Sequence, residues 1–155
     1  MAILTVSDAG SRGTRPDTSG DAIAQWVGAR GYEATARAIV PDETLRIAGV
    51  LCEWADADRA DVILTTGGTG LGPRDVTPEA TASVCQRMAP GFGEIMRVEG
   101  FKLTKKAILS RGTAGICGKT LIVNLPGSPK AVRESLEIIL DVLPHAVKMM
   151  LGGGH

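Results

Sequence analysis

The stretch Val62–Thr81, VILTTGGTGLGPRDVTPEAT, passes from apolar and β-branched residues through four glycines into a segment that starts like a helix. Val62 to Thr66 reads as a strand, and its lack of polar alternation suits a parallel strand covered on both faces. Thr77 reads as the cap of a helix with Pro78 at its first position, where a missing N–H costs nothing. Between them lie Gly67, Gly68, Gly70 and Gly72, with Arg74 and Asp75 at the far end. Glycine reaches backbone angles closed to other residues and lets a ligand approach main-chain N–H groups near a helix start, so a phosphate is the natural occupant. The company of Thr69, Arg74 and Asp75 favours binding over a turn built for packing alone. Two phosphate motifs fail: Pro73 stands where a GxGxxG fingerprint needs its last glycine, and GTAGICGKT (Gly112–Thr120) has one residue too many for a P-loop and runs into a strand.

Working outward, Ala2 to Val6 is a short apolar strand, and SDAGSRGTRPDTSG after it reads as loop. Asp17, Thr18 or Ser19 caps a helix with Ile23, Trp26 and Val27 at i, i+3, i+4, closed by Gly31. Tyr32 to Val40 reads as a second strand, and Thr44 to about Ala57 as a second amphipathic helix. Further on come a helix around Phe92 to Gly100, a short strand at Ala107 to Leu109 and a glycine-punctuated turn. A buried strand from Leu121 to Leu125 precedes a helix from Pro129 to about Leu143, which Pro144 breaks; a last helical turn or two follows, and GGGH at the end frays. Alternating strands and helices predict an α/β fold with a mostly parallel central sheet and helices on both sides, one domain over residues 1–155.

Lysine plus arginine equals aspartate plus glutamate at 17 each, so the basic excess of a duplex-binding protein is missing. Scarce aromatic residues argue against a stacking platform for single strands. Local asymmetry remains: Arg97, Lys102, Lys105, Lys106, Arg111, Lys119, Lys130 and Arg133 face the single acid Glu99 over that stretch. The run suits a solvated face or a surface meeting a compact polyanion. Cys52, Cys85 and Cys117 are odd in number, widely spaced and without a zinc-site pattern, as expected of reduced, mostly buried thiols in a cytoplasmic protein. No basic leader and no long apolar run appear, so neither export nor membrane insertion is expected.

In an open parallel sheet, ligands lie beyond the carboxyl ends of the strands. Polar signatures follow four strands: Ser7 and Asp8 after the first, Asp42 in PDE after the second, GGTGLGPRD after the third and NLPGSP after the last. Asp42 and Asp75 should reach the same sheet edge, where two carboxylates facing a polyphosphate suggest a shared hard cation, Mg²⁺. Taken singly, Asp42 reads equally as a helix cap and Asp75 as a partner for Arg74 or the helix dipole. Asp56, Asp58 and Asp61 look like a solvated turn, and His145 and His155 form no catalytic pair. Ser110 and Arg111 follow the expected Leu109 strand. Together with Asn124, Pro126, Gly127 and Ser128 they read either as contacts for a heterocycle or as an ordinary turn with Ser128 as a cap.

Six segments, in order, resemble the molybdenum-cofactor biosynthesis domain: TVSD (Thr5–Asp8), DTSG (Asp17–Gly20), VPDE (Val40–Glu43), TTGGTGLGPRDVTPEAT (Thr65–Thr81), PGFGEIMR (Pro90–Arg97) and LSRGTAGICGKTLIVNLPGSPKAV (Leu109–Val132). The family includes bacterial molybdopterin adenylyltransferases and the G domains of gephyrin. The resemblance implies a three-layer α/β/α fold, a homotrimer with a hexamer as the alternative, and transfer of AMP from ATP to molybdopterin with release of pyrophosphate. It implies Asp42 and Asp75 as catalytic and Mg²⁺-binding carboxylates, phosphate on Gly67, Gly68, Thr69 and Gly70, and pterin or nucleotide pockets at Ser110, Asn124 and the loop that follows. A molybdenum-insertion protein is the implied partner. The alternative within the family is a MoaB-like relative that binds the pterin without turning it over.

Overall fold

The computed structural model describes residues 1–153; the part of the expected frayed end at Gly154 and His155 lies outside the described residues. Six strands form one sheet: β1 (Ala2–Val6), β2 (Ala36–Val40), β3 (Val62–Thr66), β4 (Arg87–Met88), β5 (Ala114–Cys117) and β6 (Thr120–Leu125). Their spatial order is β2-β1-β3-β6-β5-β4. The first four in that order are mutually parallel, while β5 runs antiparallel to both β6 and β4. The helices are α1 (Asp8–Ser11), α2 (Thr18–Ala29), α3 (Thr44–Asp56), α4 (Thr77–Val84), α5 (Gly91–Leu103), α6 (Pro129–Ile139) and α7 (Leu143–Met150).

The period-2 alternation of strand side chains divides the core into two layers. Ile3, Val62, Leu64, Leu121, Val123 and Leu125 point to one face, where Ile23, Trp26 and Val27 of α2 and Val132, Leu136 and Ile139 of α6 cover them. Ala2, Leu4, Val6, Ile63 and Ile122 point to the other, under Ile47, Leu51 and Trp54 of α3 and Ala80 of α4. Both faces of β1, β3 and β6 are therefore dry, which explains their unbroken apolar sequences and gives the expected three layers. None of the described helices is long and apolar enough to cross a membrane.

The departures from the sequence reading have local causes. Strand β2 begins at Ala36 rather than Tyr32, because its partner β1 offers register only from Ala2 onward. Residues Ala107–Leu109 belong to a 3-10 turn, Lys105–Leu109, not to a strand, and Ile108 and Leu109 are 62% and 50% exposed. The glycine-punctuated segment contains β5, which turns into β6 at Gly118 with a φ of 59°. The helix that starts at Pro129 ends at Ile139, and Pro144 sits in the first turn of α7, where proline is tolerated, instead of terminating a helix. The loop after β1 holds the single turn α1, capped by Ser7, whose Oγ accepts from the Gly10 N–H at 3.0 Å. Asp17 is the residue that caps α2. Val76, not Thr77, precedes α4; the Thr77 hydroxyl instead donates to the Gly67 carbonyl at 2.9 Å. Cys117 is buried, Cys52 and Cys85 are half-buried, and all three are free.

Candidate functional site

The carboxyl ends of β1, β2, β3 and β6 converge, and a charged network ties their loops together. The Asp42 carboxylate accepts from the Asp8 N–H at 2.7 Å, and the Asp8 carboxylate accepts from the Asp42 N–H at 3.1 Å. Arg74, at the end of the glycine-rich loop, grips the same Asp8 carboxylate through Nε at 3.1 Å and Nη2 at 2.8 Å. That fork holds Asp8 below the usual carboxylate range. Asp42 moves the other way: burial comes first, and the like charges of Asp8 and Asp75 add to it. Among the described residues, no group of three or more His, Cys, Asp or Glu side chains is arranged to hold a metal.

The four glycines serve two purposes. Gly67 and Gly68 take φ values of 94° and 63°, and a Cβ on Gly67 would stand 2.3 Å from the Val6 carbonyl oxygen. Gly70 and Gly72 leave room for Asp75, whose Oδ2 would lie 2.8 and 2.9 Å from a Cβ at those positions. Asp75 folds the loop back on itself by accepting from the Gly72 N–H at 2.8 Å. Thr69 is buried, and its carbonyl accepts the Arg111 N–H at 2.8 Å. Arg111 then reaches over the loop: its Nε donates to the Gly70 carbonyl at 2.7 Å, and its Nη groups bond the Asp75 carbonyl and the Glu79 carboxylate. The pairing with Arg111 holds Glu79 below its ordinary range.

Two clefts open side by side at this edge. The larger, about 290 Å³, lies between α5 and α6 and is lined by Met96, Arg97, Ser110, Asn124, Pro126 and Ser128 among others. The smaller, about 280 Å³, is lined by Ser7, Arg15, Asp17, Ser19, Asp42, Gly67, Gly127 and, again, Ser128. It lies between the starts of α2 and α6, whose Gly20 and Ala131 N–H groups are capped by Asp17 and Ser128, and Arg15 adds a cation to its lining. Ser128 caps α6 by accepting from the Ala131 N–H at 3.2 Å, so the shared wall is anchored to a helix. Pro126 is fixed by the Thr66 hydroxyl, which donates to its carbonyl at 2.7 Å. Asn124 is 1% exposed; its Nδ2 donates to the hydroxyls of Thr65 at 3.0 Å and Thr81 at 2.8 Å, which ties β6, β3 and α4 together at the floor.

Of the residues singled out in the sequence, Ser110, Asn124, Pro126 and Ser128 line the larger cleft and Ser7, Asp42, Gly67, Gly127 and Ser128 the smaller. Gly68, Thr69, Gly70, Arg74, Asp75, Asp8 and Arg111 line neither and form the loop network beside them. Arg15 and Ser19 in one cleft and Met96 and Arg97 in the other were not among the sequence candidates. Ser19 lies within DTSG and Arg97 within PGFGEIMR, two segments of the family resemblance to which no site role was given: the first read as a helix start, and Arg97 as part of a basic run suited to a solvated face or a polyanion.

The family model described as "Probable molybdopterin binding domain" matches residues 2–145. The molybdopterin adenylyltransferase of Helicobacter pylori J99 is 44% identical over 98% of this chain and 88% of that protein. The enzyme of the same name from Escherichia coli K12 is 40% identical over 91% of this chain and 73% of its own length. Among solved structures, the molybdopterin biosynthesis enzyme MoaB of Thermus thermophilus superposes with a TM-score of 0.91 at 54% identity, covering 97% of this chain and 95% of that one. With its sheet order, its loop motifs and this match running through almost the whole sequence, the chain belongs to the molybdopterin binding domain family of molybdenum-cofactor biosynthesis.

Proposed function

We propose that the protein is a molybdopterin adenylyltransferase, working as one domain. The terminal phosphate of molybdopterin attacks the α-phosphorus of ATP; a P–O bond forms there, the bond to the β-phosphate bridge breaks, and pyrophosphate leaves. The observation that carries this reading is the pair of adjoining clefts that share Ser128, with the glycine-rich loop and Asp42 beside them. Two substrates joined through phosphate need two pockets meeting at an anion-tolerant wall. The reaction needs positioning and charge neutralisation more than a protein nucleophile. The names of relatives at 40–44% identity support it.

Mg²⁺ fits the donor set. The ion ordinarily takes one or two protein carboxylates and completes its shell with phosphate oxygens and water, and Asp42 and Asp75 are two carboxylates, accepting from the main-chain N–H groups of Asp8 and Gly72 respectively. They are the residues that would hold it, and when bound it would neutralise charge on the transferring phosphate. We also assign a cytoplasmic location, a homotrimer and a molybdenum-insertion partner to the protein. Self-association is supported by exposed apolar side chains on α5 and the turn after it, among them Val98, Leu103 and Ile108. The test is incubation with molybdopterin, ATP and Mg²⁺ and mass analysis for the adenylated pterin. Pterin binding without adenylated product or pyrophosphate would replace this reading with that of a MoaB-like binding or scaffold protein.

A further inference from the structure

Residues Ser110, Arg111 and Gly112 form a strap between the larger cleft and the glycine-rich loop. Arg111 faces the loop and bonds the main-chain carbonyls of Gly70 and Asp75, while its own N–H meets the Thr69 carbonyl. The carbonyls of Ser110 and Gly112 face the opposite way, toward α5. There Arg97 takes both: its Nη1 donates to Gly112 at 2.8 Å and to Ser110 at 3.3 Å. One turn earlier, Gly93 lets α5 come close enough for this, since a Cβ on it would stand 2.2 Å from the Gly112 carbonyl oxygen. Arg97 is half-buried, lines the cleft and forms no ion pair among the described residues. Its donors are directed at main chain rather than at a carboxylate.

We infer that Arg97 is a positioning residue: by holding the strap it fixes the wall of the larger cleft and, through Arg111, the main chain of the glycine-rich loop that carries Asp75. Arg97 holds the strap from the α5 side and Arg111, itself part of the strap, holds the glycine-rich loop, so a disturbance at α5 reaches that loop through the strap. The catalytic part of this inference rests on the adenylyltransferase reading; the mechanical part does not.

The test compares the full-length wild type with Arg97→Met, which keeps the stem and loses the donors, and Arg97→Lys, which keeps a donor. In ligand-free protein, hydrogen exchange at the amides of Gly72 and Asp75 should accelerate about 5- to 30-fold in Arg97→Met, the scale of one lost hydrogen bond or two. Strand amides such as those of Leu64 and Val123 should stay within about twofold, and Arg97→Lys should return most of the protection. Turnover should fall about tenfold or more in Arg97→Met, with KM for ATP changed less than about threefold, as expected from misplaced rather than missing contacts. Acceleration confined to residues 110–112, acceleration spread evenly through β3 and β6, or no rescue by lysine would each overturn the inference. If the wild type forms no adenylated pterin, the proposed function falls, and the exchange pattern still decides whether Arg97 controls the loop.

Discussion

Replacing Gly67 by alanine separates two costs that a glycine-rich loop usually confounds. At φ 94° an L-residue carries backbone strain of about 1–3 kcal/mol. The new Cβ would also stand 2.3 Å from the Val6 carbonyl oxygen, and that oxygen belongs to a buried strand paired on both sides. A flexible side chain would step aside; a central strand cannot, so overpacking adds about 1–3 kcal/mol. The sum is about 2–6 kcal/mol. Gly118 supplies the control: its φ is 59°, yet a Cβ there meets nothing within 4 Å. Alanine at Gly118 should cost about 1 kcal/mol, conformational strain less the gain from a stiffer unfolded chain. For a domain of this size about 2–4 °C accompanies each kcal/mol. Scanning calorimetry should therefore show Gly67→Ala losing about 5–20 °C and Gly118→Ala about 2–4 °C. Equal losses in the two variants would refute the claim that close approach to β1, and not φ alone, demands glycine at the start of the loop.

Asp75→Asn keeps an acceptor for the Gly72 N–H and so should fold normally, while adenylyl transfer falls at least about 10²-fold, the scale of one lost preorganised charge; unchanged formation of adenylated pterin would remove Asp75 from the mechanism. Burial pushes the Asp17 carboxyl up, but hydrogen bonds from Arg37, the Gly20 N–H and Thr5 together bring it below its ordinary value. A carboxyl depressed in the folded state stabilises fully above its unfolded value of about 3.9 and ceases to do so as pH falls through the lower folded value. Urea midpoints should therefore drop more between pH 5 and pH 2 for the wild type than for Asp17→Asn, and parallel acid limbs would contradict this. Burial pushes the Cys85 thiol up to about 12 and also raises Cys117. Iodoacetamide at pH 7.5 should consequently leave both unmodified in the native protein and label both in urea; rapid native labelling found by peptide mapping would show the packing around them to be wrong.

Three of the four parallel strands were readable because they are buried on both faces. Ala2–Val6, Val62–Thr66 and Leu121–Leu125 have no polar alternation, and each is followed by a loop rich in glycine, aspartate or proline. The antiparallel half was not. Strand β4 is two exposed residues, Arg87 and Met88, too short to carry a period. In β5, Gly115 interrupts the apolar pattern because the Cys85 sulfur occupies the space its side chain would need, at 2.6 Å from a Cβ. Ala107–Leu109 misled in the opposite sense: three apolar residues suggest a strand, but no neighbouring strand offers them hydrogen bonds, and the chain closes a 3-10 turn after α5 instead.

At the site, sequence spacing located loops but not the partners chosen inside them. Asp42 precedes a helix and looks like its cap, yet α3 has no side-chain cap, and the Asp42 carboxylate turns to the main chain of Asp8. That choice depends on β1 and β2 lying side by side in register, Val6 against Val40, which brings the residues two positions beyond each strand within reach. Arg74 then closes the triangle from the loop after β3, 66 positions away from Asp8 in sequence. Three loops that would otherwise move separately are thereby held by one carboxylate, Asp8, which Arg74 keeps ionised. The exchange of main-chain and carboxylate hydrogen bonds also brings the crowded pair Asp8 and Asp42 beside the glycine-rich loop. Like charges so placed raise the energy of the empty site, and Arg74 offsets that cost with a cation already in position. The Arg74 side chain is 58% exposed, so its hold on Asp8 is made at the surface and not inside a packed core.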